Sequence, residues 1–298
     1  CIRDRVTIGI KNIAMGCDAM SGVTVEQVDN NIAIGKSALV GTSATTGDNN
    51  IAIGTTAMDA ITTGHNNIAL GLNALGASTT GYENIAIGKH ALGEADNQNI
   101  NSVAIGFYAA RLSTGAYNVA IGPSAMYNST TAGNSIAIGR CALGNASTTG
   151  AENIAIGRNS ADVLTSGKCN IALGSNALGA STTGCENIGI GNLALGAGVT
   201  TGHNNYAIGA AAMDALTTGC CNIGIGYAAL GAATTGCSNI ALGELALGSA
   251  ITTGYRNVAI GHVAMDVLTS GCNNIALGPN ALGQSTTCLL YTSDAADE

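Results

Sequence analysis

Side chains able to carry acid–base or metal chemistry are few and widely spaced in this 298-residue chain. The four histidines, His65, His90, His203 and His262, stand singly, as do Glu83, Glu152 and Glu186. Asp59, Asp162, Asp214 and Asp266 recur at intervals of about fifty residues or more. Paired carboxylates or shared metal ligands must lie within a few ångströms of one another, and nothing in this spacing assembles them. The chain has no G-x-x-x-x-G-K-[ST] phosphate loop and no C-x-x-C pair of zinc type. No enzymatic activity, metal or cofactor is expected. A fibre-borne polysaccharide depolymerase is the enzymatic alternative.

Ten cysteines remain to be placed. Cys185, Cys220, Cys237 and Cys272 share one position of a repeating pattern, and Cys169 and Cys221 share the next. If successive repeats stack ~4.8 Å apart, Cys220 and Cys237 fall within disulfide range. Free thiols, a disulfide between neighbouring repeats and an interchain disulfide all remain open, and with them the redox compartment.

The repeat that positions these residues is explicit. The motif [Ile/Val]-Ala-[Ile/Leu]-Gly begins at Ile13, Ile32, Ile51, Ile68, Ile85, Val103, Val119, Ile136 and onward to Ile275. Its sixteen copies step by about 17.5 residues, too short for helical-pair repeats or propeller blades but suited to one coil of a β-solenoid. The consensus reads N-I-A-I-G-x-x-A-L-G-A-x-T-T-G-x-x. Module starts at Ile51, Val103, Ile154, Tyr206 and Val258 mark a longer period of three coils, marked again by the Asp residues. Three-coil duplication accounts for it; an interaction site on every third coil is the functional alternative.

Composition agrees with a solenoid and excludes other classes. Only 9% of residues are charged and 3% are aromatic, against 46% apolar, with 43 Gly and two Pro. A mean hydropathy of +0.31 argues against disorder, and no apolar run reaches the ~18 residues of a membrane span. The net charge of −8 leaves no basic stripe for phosphate neutralisation. Neither nucleic acid nor membrane insertion is expected.

The columns predict how a coil is built. In I-A-I the large residues face one way and Ala the other. We expect the aliphatics inside and the Ala column outside. The Gly after each strand, such as Gly54, suits a bend or positive φ. The pairs Ala57-Met58 and Ala74-Leu75 form a second inward edge. The Asn before each motif, as at Asn50, Asn67, Asn84 and Asn153, stacks coil on coil as Asn ladders do; Ser102 and Ser135 replace it in two copies. On this reading Ala52, Ala69, Ala86, Ala104, Ala120, Ala137, Ala155 and Ala172 form a flat stripe, interrupted in its column only by Gly189 and Gly224. Such a stripe suggests a homo-oligomer interface, with a second layer of the same chain as the alternative.

Asn101-Ser102-Val103-Ala104-Ile105-Gly106 resembles the N-S-V-A-I-G motif of trimeric autotransporter adhesin heads. The wider consensus resembles repeats of phage tail-fibre proteins. The resemblance spans about residues 12–287, although adhesin-head repeats are usually nearer fourteen residues. It implies a homotrimer of parallel, left-handed β-rolls, extracellular on a bacterial surface or a virion tail fibre, with outer faces that attach to a host glycan or receptor.

The expected organisation is an irregular start over residues 1–12, an all-β parallel solenoid over 13–287, and a tail over 288–298. That tail resembles the translation of a transposase sequencing adapter and is expected to be non-native. The expected function is a non-catalytic fibre or adhesin segment. The variable columns follow each strand Gly (His90, Phe107, Tyr108) and each T-T-G (His65, Tyr82, Tyr255), and these are the candidate binding residues. A tail-fibre spacer is one alternative. An ice- or mineral-binding solenoid is another, opposed by adjacent Thr pairs such as Thr62-Thr63, which place one outward Thr per coil at a turn.

Overall fold

The computed structural model describes residues 11–22, 28–41, 46–94 and 100–287. The irregular start falls almost wholly, and the suspected non-native tail wholly, outside the described residues. The described chain is all-β, without helices, and divides into two compact units, the first ending at Ala151 and the second beginning at Glu152. The first unit holds β1 (Ile13–Met15), β2 (Ile32–Ile34), β3 (Ile51–Ile53), β4 (Ile68–Leu70), β5 (Ile85–Ile87), β6 (Val103–Ile105), β7 (Val119–Ile121) and β8 (Ile136–Ile138). The second holds β9 (Ile154–Ile156), β10 (Ile171–Leu173), β11 (Ile188–Ile190), β12 (Tyr206–Ile208), β13 (Ile223–Ile225), β14 (Ile240–Leu242), β15 (Val258–Ile260) and β16 (Ile275–Leu277). Within each unit every strand pairs in parallel with the next, motif residue against motif residue. Each unit is therefore a β-solenoid with one strand per coil.

Backbone bonds tie coil to coil around most of the circuit. Ile51 N–H donates to Asn67 O (2.8 Å), Gly71 to Ile53 O (2.8 Å), Asn73 to Thr55 O (3.0 Å) and Leu75 to Ala91 O (3.0 Å). The strand Gly is fixed by both conformation and space. Gly54 has φ 141°, and a Cβ there would lie 2.4 Å from Gly71 O, so no other residue fits without moving the next coil.

The Asn column forms the expected ladder. Asn67 N–H and Nδ2 both donate to Asn50 Oδ1 (3.0 and 3.1 Å), and Nδ2 also reaches Gly81 O at 2.8 Å. These Asn are buried, and their side chains satisfy one another and the turn carbonyls, as buried polar groups must. The Ala-Leu and Ala-Met pairs form the second inward edge, with Ala57, Met58, Ala74 and Leu75 all buried.

The two faces of the strand are reversed from expectation. Ala52, Ala69, Ala86, Ala104, Ala120, Ala137, Ala155 and Ala172 are 0% exposed within the single chain, so they line its own core and cannot meet another chain. The flanking aliphatics point outward and are half-buried to exposed in every strand. The cause is the thinness of the coil. A Cβ added at Gly224, in the Ala column, would lie 3.1 Å from both Ala229 O and Met213 Cε. The opposite edge is so close that a methyl group fills the gap and a branched side chain would overpack it.

Candidate functional site

The surface features that depart most from the consensus lie on one corner of the first unit, over the coils of β5, β6 and β7. There the turn after the strand Gly carries Lys89-His90 in one coil and Phe107-Tyr108 in the next. Parallel register places equivalent positions side by side, so the rings meet between coils. His90 and Tyr108 have centroids 5.1 Å apart, Phe107 and Tyr108 4.1 Å, and Tyr108 and Tyr127 5.5 Å edge-on. Such separations and tilts suit the ring quadrupoles.

Cations are threaded through these rings. Arg111 Cζ lies 5.1 Å from the Tyr108 centroid and 5.0 Å from that of Tyr127, and Lys89 Nζ lies 5.8 Å from Phe107, all within cation–π range. Arg111 also donates to the Tyr127 hydroxyl and pairs with Glu94. The Glu94 hydrogen bond pushes the Arg111 pKa up, so the guanidinium is charged at any working pH. Its Nε is shielded from solvent and has no acceptor. Glu94 also faces His90 Nδ1 at 3.4 Å, and that nitrogen lies 3.2 Å from Asn73 Nδ2. Phe107 remains 47% exposed, which leaves a ring available at the rim. The corner is thus an aromatic surface with a fixed cation, a carboxylate and amide groups, suited to holding a polar ligand by stacking and hydrogen bonds.

The other candidates lie elsewhere. His65 and Tyr82 stack face to face at 5.0 Å, with planes within 2° of parallel, on the corner after T-T-G. Tyr255, in the second unit, is 48% exposed, and its ring lies 5.7 Å from the cation of Arg256. The six sequence candidates therefore form one cluster of three, one pair and one isolated ring. Arg111, Tyr127 and Glu94 were not among them. Arg111 and Tyr127 stand where half of the coils have Gly, as at Gly76 and Gly93, and where most of the others have a small residue or Asp. A large residue in a Gly column was the signal that could have found them.

Cys220 and Cys237 meet as neighbours but as free thiols. The Cys220 thiol donates to Cys237 Sγ at 3.1 Å, and the Cys220 backbone N–H donates to the same sulfur at 3.2 Å. That thiol hydrogen bond, then burial, pushes the Cys220 pKa up to about 12. A thiol so held is a weak nucleophile near neutrality.

The module aspartates have structural bonds. Asp214 Oδ1 accepts from Ala197 N–H at 2.9 Å, and Asp266 Oδ1 from Ser249 N–H at 3.0 Å. Each thus ties down the return loop of the coil before it. Among the described residues, no three His, Cys, Asp or Glu side chains are grouped to hold a metal ion, and no helix is long and apolar enough to cross a membrane. No protein-family model and no curated protein sequence matches the chain.

Proposed function

We propose that the chain is a non-catalytic, extracellular fibre or adhesin segment that works as a homotrimer and attaches to a cell-surface glycan or receptor. The observation that carries this reading is the aromatic and charged corner of Phe107, Tyr108, Tyr127, Arg111 and Glu94. Sugar rings present C–H faces to aromatic planes and hydroxyls to charged and amide groups, and this corner offers both. Repetition supports it further, because contacts too weak alone add by multivalency when several copies of a surface are held together. His65 and His90 are used in ring contacts, Cys220 in a thiol contact and Asp214 and Asp266 in loop contacts within the chain, which favours attachment over catalysis. The strand face carries Ile where a flat ice- or mineral-binding face would need Thr, and exposed Thr63 and Thr80 lie at turns.

The test is a glycan array and host-cell binding assay of the folded protein. One variant combines Phe107→Ser, Tyr108→Ser and Tyr127→Ser; a second combines His65→Ser, Tyr82→Ser and Tyr255→Ser. Loss of binding in the first variant, with the second retained, is the expected result. A folded protein that binds no glycan and no cell would leave only a spacer of a fibre.

A further inference from the structure

Among the described residues, only one place in the fold puts two thiols at the same position of successive coils. Cys185 lies between Lys168 and His203 in its column, and Cys221 between Asn204 and Ser238. Cys220 and Cys237 stand at the turns that lead into β13 and β14. Their sulfurs are 3.1 Å apart, and both side chains are half-buried. Ser238 N–H donates to Cys220 O at 2.9 Å, so a backbone bond holds the two turns in register. The aromatic corner makes no use of this pair.

We propose that Cys220 and Cys237 form a redox dithiol that reacts with small-molecule disulfides and closes into a bridge between the coils of β13 and β14. The proposal is independent of the attachment reading. Reach is the first argument. Coils stacked ~4.8 Å apart hold the two backbones inside the disulfide range, and a closing movement of about 1 Å brings the sulfurs to bonding distance. Cys221 is no partner for Cys220, because neighbouring Cα atoms are only ~3.8 Å apart across a trans peptide, short of that range. Polarity is the second argument. The Cys220 N–H, at 3.2 Å, and the Cys220 thiol, at 3.1 Å, both donate to Cys237 Sγ. When the pair gives up a proton to water, these donors favour the charge on Cys237. Cys237 then attacks the small disulfide, expels one small thiolate and is left in a mixed disulfide. That sulfur has lost its charge and its hold on the Cys220 proton, the main cause of the raised Cys220 pKa. Cys220 in turn loses its proton to water, attacks Cys237 Sγ and expels the second small thiolate. Two protein thiols and one small disulfide thus become one protein disulfide and two small thiols.

The test uses the full chain, reduced, freed of reductant and then held in oxidised glutathione at pH 8. Chymotrypsin cuts between the two cysteines at Tyr227, so mass spectrometry of the alkylated digest separates a bridge from single glutathione adducts. The bridge should form in the wild type and in Cys221→Ser, and should exceed glutathione adducts of Cys220 and Cys237 by roughly a hundredfold, since the second thiol is held beside the first. In Cys220→Ser the reaction should stop with glutathione on Cys237. The bridge closes a loop of 17 residues and should raise the ratio of folded to unfolded chain by about a hundredfold in guanidinium titration. Dithiothreitol should reverse both effects. A wild type that takes up glutathione at Cys272 but forms no bridge overturns the proposal, and needs no variant to do so. Loss of the bridge in folded Cys221→Ser also overturns it, by moving the partner to Cys221. Glutathione added to Cys220 in Cys237→Ser as fast as to Cys237 in Cys220→Ser overturns the order of attack.

Discussion

Replacing Asn187 with Ala separates the work of the Asn ladder from that of the backbone ladder beside it. Asn187 is fully buried. Its Oδ1 accepts from Asn205 N–H at 3.0 Å and Asn205 Nδ2 at 3.1 Å, and its Nδ2 donates to Gly202 O at 2.9 Å. Asn205 Nδ2 keeps a second partner in Gly219 O, at 2.9 Å. The Ala variant therefore strands two buried backbone groups, the Asn205 N–H and the Gly202 carbonyl. At about 1–3 kcal/mol for each buried group left unsatisfied, the loss is about 4 kcal/mol.

Asn187→Ser should cost much less, because the chain already contains that arrangement. At Ser102 the hydroxyl oxygen accepts from Asn118 N–H at 3.2 Å, and Asn118 Nδ2 turns to serve Gly115 O at 2.9 Å. The same rearrangement at Asn205 would re-pair both stranded groups, for a net cost of about 1 kcal/mol. Guanidinium unfolding followed by circular dichroism, fitted with nearest-neighbour coil coupling, measures both variants. Hydrogen exchange at the Asn205 amide localises the effect. An Ala variant within about 0.5 kcal/mol of wild type, the ordinary range for a surface substitution, would refute the reasoning. So would a Ser variant as costly as Ala.

Further outcomes follow from the interior and the titrating groups. Ala172→Val adds bulk to a filled gap and should destabilise by about 1–3 kcal/mol in thermal or guanidinium unfolding. Replacing Ala120, Ala137 and Ala155 together with Lys should prevent folding rather than release subunits, which insolubility and a lost strand spectrum would report. Iodoacetamide at pH 8 should label Cys220 more slowly than Cys272, and Cys237→Ala should speed Cys220 by removing the acceptor of its thiol proton; mass spectrometry of the peptides reads both. Burial raises the Asp214 carboxyl above its ordinary value, opposed by hydrogen bonds from Ala197 and Gly196. The folded state then holds this proton more tightly than the unfolded state, so the contribution of Asp214 to stability falls as pH rises through the raised pKa. Asp214→Asn keeps the acceptor for Ala197 and should flatten the dependence of Tm on pH just above the ordinary carboxylate range, where the raised Asp214 carboxyl titrates.

The repeat, the strand positions, the Gly conformation and the Asn ladder were legible because each is fixed by one column with one physical demand. Alternation in I-A-I separates two faces but does not say which faces inward. The usual association of large apolar residues with the core supplied the wrong sign. Two residues carried the right one. Tyr206 occupies the aliphatic column and is 40% exposed, and a phenol ring there is compatible with solvent but not with a thin interior. Gly189 and Gly224 are the only replacements for Ala; a column that only ever becomes smaller marks a steric ceiling. The aromatic corner was legible only in part: neighbouring coils bring His90 to Tyr108 at equivalent positions, but Arg111 and Tyr127, which complete it, stand in a column that the consensus gives to Gly.

The same thinness explains why leucines and methionines adopt a conformation that other proteins give to Gly. Leu75, Leu92, Leu178 and Met213 have φ of 48–51° and are buried, although a left-handed L-residue costs roughly 1–2 kcal/mol. In extended chain the Ala and the Leu of each pair would point to opposite sides, and only one could reach the core. The positive φ turns the backbone so that both point inward, which is why Ala74 and Leu75 are each buried. The bent backbone still makes its ladder bonds, since Leu75 N–H donates to Ala91 O at 3.0 Å and Met213 N–H to Ala229 O at 2.9 Å. Local strain at this corner thus lets a coil with room for only a methyl beneath its strand fill the rest of its section with one large side chain, so the strand face is left to carry its aliphatics outward.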